Sequence, residues 1–168
     1  KNVIVYAEQG IGDEIMFSGC IPDLLAQSPN KIFLECAPRL EALFARSFPE
    51  IIVCGKERDD DFSWVGEKVH LDYGIPIGSL PKFFRNSAQD YPERDSFLVP
   101  NPELVNKWQQ RLATLGQGLK IGISWIGGKG AVALTRNSIP LENWKKLLAM
   151  NATFINLQYG DVSEELNR

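Results

Sequence analysis

A run of β-branched and aromatic residues, Val3, Ile4, Val5 and Tyr6, passes into the turn Glu8-Gln9-Gly10-Ile11-Gly12-Asp13-Glu14. An apolar pattern close to the helical period follows it, through Ile15, Phe17, Cys20, Ile21, Leu24 and Leu25. An uninterrupted apolar strand is buried on both faces, which is the habit of parallel sheets. Strand, glycine-bearing turn and helix therefore open an α/β unit, and in open α/β sheets ligands sit at the carboxyl ends of the strands. The glycines allow close backbone approach and positive φ, and Asp13 is expected as the helix N-cap. Gly10 and Gly12 alone make neither a dinucleotide fingerprint nor a P-loop, because Ile15 stands at the third glycine's place and no Gly-Lys-Ser/Thr follows.

The pattern repeats along the chain. Pro22 is expected to break the first helix. Lys31–Cys36 reads as a second strand, and Pro38 opens a helix through about Ser47 with Leu40, Leu43 and Phe44 inward. Ile51, Ile52 and Val53 form a third short strand, so the connections predict parallel strands with right-handed crossovers. Residues 73–91 read as irregular, with Leu80, Phe83 and Phe84 on a short helix and Lys82 and Arg85 facing out. Asn101, Pro102 and Glu103 start a helix to about residue 115, with Leu104, Val105, Trp108 and Leu112 inward. Gly116 and Gly118 end it and suggest a boundary between residues 1–117 and an incomplete unit at 118–168. In that unit a strand over 120–125 precedes the loop Gly127-Gly128-Lys129-Gly130. A helix through Met150 buries Trp144, Leu147 and Leu148, and a last strand spans 152–158.

Several chemistries are disfavoured. The net charge of −3 supplies no basic field for nucleic acid or an anionic membrane. Cys20, Cys36 and Cys54 lack a C-x-x-C pair, which points to reduced, buried thiols and a cytoplasmic setting rather than a zinc site or disulfides. His70 is the only histidine, so it reads as structural or solvent-facing. Asp59-Asp60-Asp61 admits a metal-binding reading, but no apolar segment precedes it to aim the carboxylates, and a solvated turn is preferred.

Four segments occur together in order: EQGIGDEIMF at 8–17, LECAPRL at 34–40, IPIGSLPKFF at 75–84, and GISWIGG with RNSIPLENW further on. On these the chain resembles the heptosyltransferase-like glycosyltransferases of glycosyltransferase family 9, particularly those found with tetratricopeptide repeats in bacterial proteins. The resemblance implies the N-terminal half of a GT-B enzyme: a Rossmann-like parallel sheet flanked by helices on the acceptor side, then the start of a donor-side domain. It implies transfer of a sugar from a nucleotide-activated donor to a glycan, lipid or protein acceptor, inverting and without a metal. The nucleotide sugar would be a co-substrate, with no other cofactor and no nucleic acid. Asp13 matches the family's proposed general base, with Gln9, Gly10, Gly12 and Glu14 as the acceptor-side loop. Ser124, Trp125, Gly127, Gly128, Lys129 and Arg136 fall on the donor side. Asn137 stands where heptose-transferring members carry a nearby lysine, a departure that weakens heptose as the substrate. The rival reading is a non-catalytic Rossmann-like nucleotide- or protein-binding module of a repeat scaffold. Apolar edges on the incomplete unit lead to the expectation that the isolated chain self-associates or is partly disordered after about Gly118.

Overall fold

The structure, a computed structural model, describes residues 1–57, 61–127 and 138–166. The chain divides into two compact units, Lys1–Val105 and Asn106–Arg168.

In the first unit the sequence runs β1 (Asn2–Tyr6), α1 (Ile11–Phe17), α2 (Ile21–Ala26), β2 (Lys31–Cys36), α3 (Glu41–Ser47), β3 (Ile52–Gly55), β4 (Tyr73–Pro76) and α4 (Pro81–Phe84). The four strands make one parallel sheet in the order β3-β2-β1-β4. This is an α/β architecture compatible with a Rossmann-like fold. Its strand order reverses between β1 and β4, the place at which such sheets open a crevice outside their carboxyl ends. A 3-10 turn at Ser18–Cys20 separates α1 from α2, and Pro22 lies in the first turn of α2, where its missing N–H costs nothing.

Alternation within the strands divides the core. Val3, Val5, Ile32, Leu34 and Cys36 join Ile21, Leu24, Leu40 and Phe44 of the helical layer. The opposite face carries Tyr6, whose ring lies 5.9 Å from Phe62, and Phe33, whose ring lies 5.9 Å edge-on from Trp64. Covering both faces explains why β1 and β2 are apolar along their length. Gly55 is a close-packed point between α3 and β3. A Cβ there would lie 2.8 Å from the Glu41 Cβ and 3.0 Å from the Pro38 Cα, so glycine lets the start of α3 lie against β3.

The structure corrects several expectations. Residues 73–91 are not irregular throughout, since Tyr73–Pro76 forms β4 in register with Val3–Tyr6. Arg85 does not face out: its guanidinium is buried and donates to Asp23 Oδ2 at 2.6 Å and to the Gly19 carbonyl at 3.3 Å. Arg94 reaches the same carboxylate at 3.3 Å, and Phe97 packs where a Gly19 side chain would be.

The second unit holds most of α5 (Pro102–Ala113), whose start belongs to the first. It also contains β5 (Lys120–Ile123), α6 (Lys145–Leu148), β6 (Thr153–Asn156) and α7 (Ser163–Leu166). β5 and β6 pair in parallel, Lys120 opposite Thr153 and Ile123 opposite Asn156. A small core of Ile123, Trp125 and Val162 has Ile121, Leu141, Trp144 and Phe154 around it. The expected inward faces are less buried here. Leu104 and Trp108 of α5 are 52% and 47% exposed and Leu148 is exposed, while Trp144 and Leu147 are half-buried. The predicted helix through Met150 is a 3-10 turn at Leu141–Trp144 followed by the short α6.

Gly55→Ala should destabilise the first unit by about 1–3 kcal/mol, the usual cost of forcing an atom into a close-packed site. Chemical denaturation would register it as a lowered midpoint, whereas an unchanged midpoint would mean that α3 shifts freely.

Candidate functional site

The carboxyl edge of the first sheet is built by the turns that leave β1 and β4. After Tyr6 the chain crosses to Gly10, whose extended φ of −78° and ψ of 164° make it the residue preceding α1. Gly10 and Gly12 therefore do not use positive φ, which falls at Gly66, Gly116 and Gly160 among the described glycines. They matter by what they omit. A Cβ on Gly12 would meet nothing within 4 Å, and one on Gly10 would meet only Asp13 Oδ2 at 3.3 Å, so the backbone is open above both.

Asp13 is the third residue of α1 rather than its N-cap. From there its Oδ2 reaches back to accept the Gly10 N–H at 3.0 Å, satisfying a donor that the helix leaves unpaired. This bond fixes the half-buried carboxylate at the lip of the crevice. Glu8 completes that lip by accepting the Gly78 N–H and the Gln9 Nε2, each at 3.2 Å. Glu8 thus joins the turn after β1 to the turn after β4, where a Gly78 side chain would strike both Glu8 and Gln9. No local sequence signal marks the Glu8–Gly78 contact, because its partners are 70 residues apart.

Glu14 behaves differently from its expected place on an acceptor-facing loop. It is fully buried, and its Oε2 accepts the Ala37 N–H at 2.8 Å, binding α1 to the end of β2. The buried Glu35 carboxylate of β2 faces Lys56 Nζ at 3.5 Å, and Lys56 also lies 5.9 Å over the Phe62 ring. A glutamate in the apolar run of β2 was the sequence signal for this ion pair. Asp61 caps a turn, accepting the Ser63 N–H at 2.8 Å and the Ser63 hydroxyl at 3.0 Å. Asp59 and Asp60 lie outside the described residues. His70 is exposed, and its carbonyl accepts Asn2 Nδ2 at 2.8 Å.

The thiols are free, with Cys20 and Cys36 buried and Cys54 half-buried. Burial, reinforced by Glu14 and Glu41, pushes Cys36 up to about 12. Attack on an alkylating agent needs the thiolate, so this thiol is inert at neutral pH.

In the second unit, the carboxyl end of β5 carries the described donor-side candidates. The Ser124 hydroxyl and Trp125 N–H both donate to Gln158 Oε1, at 2.9 and 3.0 Å. The Trp125 indole is buried, with its N–H on Glu165 Oε2 at 2.6 Å. Gly127 N–H reaches the Ser138 hydroxyl at 3.2 Å. Gly128, Lys129, Arg136 and Asn137 lie outside the described residues. Neither Gln158 nor Glu165 carries a spacing in the sequence that marks it.

Fold and site together define an α/β protein with a parallel sheet and a carboxylate-bearing rim at its topological switch point. The chain is similar to Protein FlbA of Caulobacter vibrioides, with 33% identity over 177 aligned positions. The similarity takes in 99% of this chain but spans only 30% of the length of that relative. No protein-family model matches the chain, and no solved structure matches it. Among the described residues no helix is long and apolar enough to cross a membrane.

Cys36 should resist iodoacetamide at pH 8 in the native protein and react once the chain is unfolded, as peptide mass analysis would read. Its raised pKa also gives a sign. The contribution to stability is intact below pH about 9, the unfolded thiol's value, and is lost as pH rises toward about 12. Rapid native labelling would overturn both expectations.

Proposed function

We propose that the chain is the acceptor-side part, with the beginning of the donor side, of a GT-B glycosyltransferase resembling glycosyltransferase family 9 and working in the bacterial cytoplasm. The observation that carries this reading is Asp13: a carboxylate held by the Gly10 N–H at the rim of the β1–β4 crevice, beside open backbone at Gly10 and Gly12. Such a group can take the proton from an acceptor hydroxyl as its oxygen attacks the anomeric carbon. The carbon–oxygen bond to the leaving nucleoside diphosphate breaks on the opposite side, inverting the centre. Charge building on that diphosphate calls for cations and backbone N–H groups, the part assigned to Lys129 and Arg136 in this reading. Gln9, Gly10 and Gly12 would line the acceptor approach, while buried Glu14 would keep α1 in place.

One observation favours the rival, a non-catalytic nucleotide- or protein-binding module of a repeat-containing scaffold. The polar groups of Ser124, Trp125 and Gly127 already have partners within the fold. Asp13 separates the two readings.

In the full-length protein, Asp13→Asn should lower sugar transfer by about 10²–10⁴-fold, the range for loss of a general base. Calorimetry should show nucleotide-sugar affinity little changed and the fold intact. A folded wild-type protein that binds no nucleotide sugar across a panel would replace the enzyme with the scaffold.

A further inference from the structure

β5 and β6 stop pairing at a definite point. The last backbone bond runs from the Leu157 N–H to the Ile123 carbonyl at 2.9 Å. Beyond it, the chain leaves β5 as Ser124, Trp125, Ile126 and Gly127, and their backbone needs other partners. One atom supplies most of them. Gln158 Oε1 accepts the Ser124 hydroxyl at 2.9 Å, the Trp125 N–H at 3.0 Å and the Ile126 N–H at 2.8 Å. The amide orientation follows from its other side, where Nε2 donates to the Tyr159 carbonyl at 3.3 Å. Gln158 is itself only 9% exposed, and its N–H is held by Asn156 Oδ1 at 2.7 Å.

Two consecutive N–H groups and a hydroxyl converge on one point, the arrangement of a backbone nest, and the Gln158 oxygen fills it. The nest lies at the carboxyl end of a parallel strand, where α/β sheets receive ligands. Its resident oxygen belongs to a neutral amide. That choice orders the strand end without adding a second carboxylate to Glu165, which meets the Trp125 indole N–H. Glutamate would accept the same three bonds more strongly but would repel an approaching diphosphate.

We propose that Gln158 is the positioning and specificity residue of the donor side: it bends Ser124–Gly127 into shape without adding a second carboxylate, beside Glu165, that would face an anionic nucleoside diphosphate. This rests on the glycosyltransferase reading above. Two substitutions in the full-length protein separate shape from charge. Gln158→Glu retains an acceptor for all three donors and adds charge, whereas Gln158→Met keeps the length and removes the acceptor.

The probes are UDP, GDP, ADP and CDP and their sugars, titrated by calorimetry, with hydrogen exchange followed at Trp125 and Ile126. For whichever diphosphate the wild type binds, Gln158→Glu should weaken affinity at least tenfold. Its melting midpoint should stay within a few degrees, and the KM for the acceptor should not change. A purely structural glutamine would leave that affinity untouched, because the hydrogen bonds persist. Gln158→Met should also weaken binding, with faster exchange at both amides; if it fails to fold, Gln158→Glu decides alone. Diphosphate binding to Gln158→Glu within twofold of wild type would overturn the proposal while leaving the glycosyltransferase reading standing. A folded wild type that binds none of the probes would bring down both.

Discussion

β1 is enclosed on every side that a strand possesses. β2 and β4 take its two edges, α-helical side chains take one face, and the Phe62–Trp64 segment covers the other. Its side chains therefore have no freedom to serve a ligand, and chemistry begins only past Tyr6. Because β1 also lies at the point where the sheet order reverses, the first residues released from it emerge in the crevice. The position of Glu8, Gly10 and Asp13 is in this sense a consequence of burying Val3 to Val5.

The buried glutamates secure that arrangement from beneath. Glu14 spends its carboxylate on the Ala37 N–H, which prevents α1 from rolling relative to the end of β2. Removing one partner of a buried hydrogen bond leaves the other desolvated and unpaired, a cost larger than the bond's net contribution. The same helix thus carries one acid turned inward for rigidity and, one residue earlier, another kept at the surface. Adjacent residues on a helix point about 100° apart, which is enough to separate the two roles.

Elements whose information is local were legible in the sequence. The apolar runs of β1 and β2 and Pro38 in the turn that leads into α3 all act through neighbours a few residues away. β4 was harder to see, because Gly74 and Pro76 look like breakers. In the fold Pro76 ends an outer strand, where a missing donor is tolerated, and Ile4 and Tyr6 lean 3.7 Å from where a Gly74 side chain would begin. The stripe on α5 showed which residues share a face but not whether anything covers Leu104 and Trp108. At the candidate site, Asp13 and its glycines were visible as a motif. The inward turn of Glu14 and the threefold grip of Gln158 were not, because both depend on backbone N–H groups contributed by distant segments.

Arg85, Arg94 and Phe97 dock the chain onto Gly19 and Asp23 from both ends of a stretch whose residues 86–95 are exposed. Between these moorings the polypeptide behaves as a closed loop whose ends are already fixed. The entropy of such a loop grows only with the logarithm of its length. Extra residues inserted there would alter the outline of the surface while leaving the sheet and the crevice nearly indifferent. This makes the segment a natural place for related chains to differ in length and for a peptide tag to be accommodated.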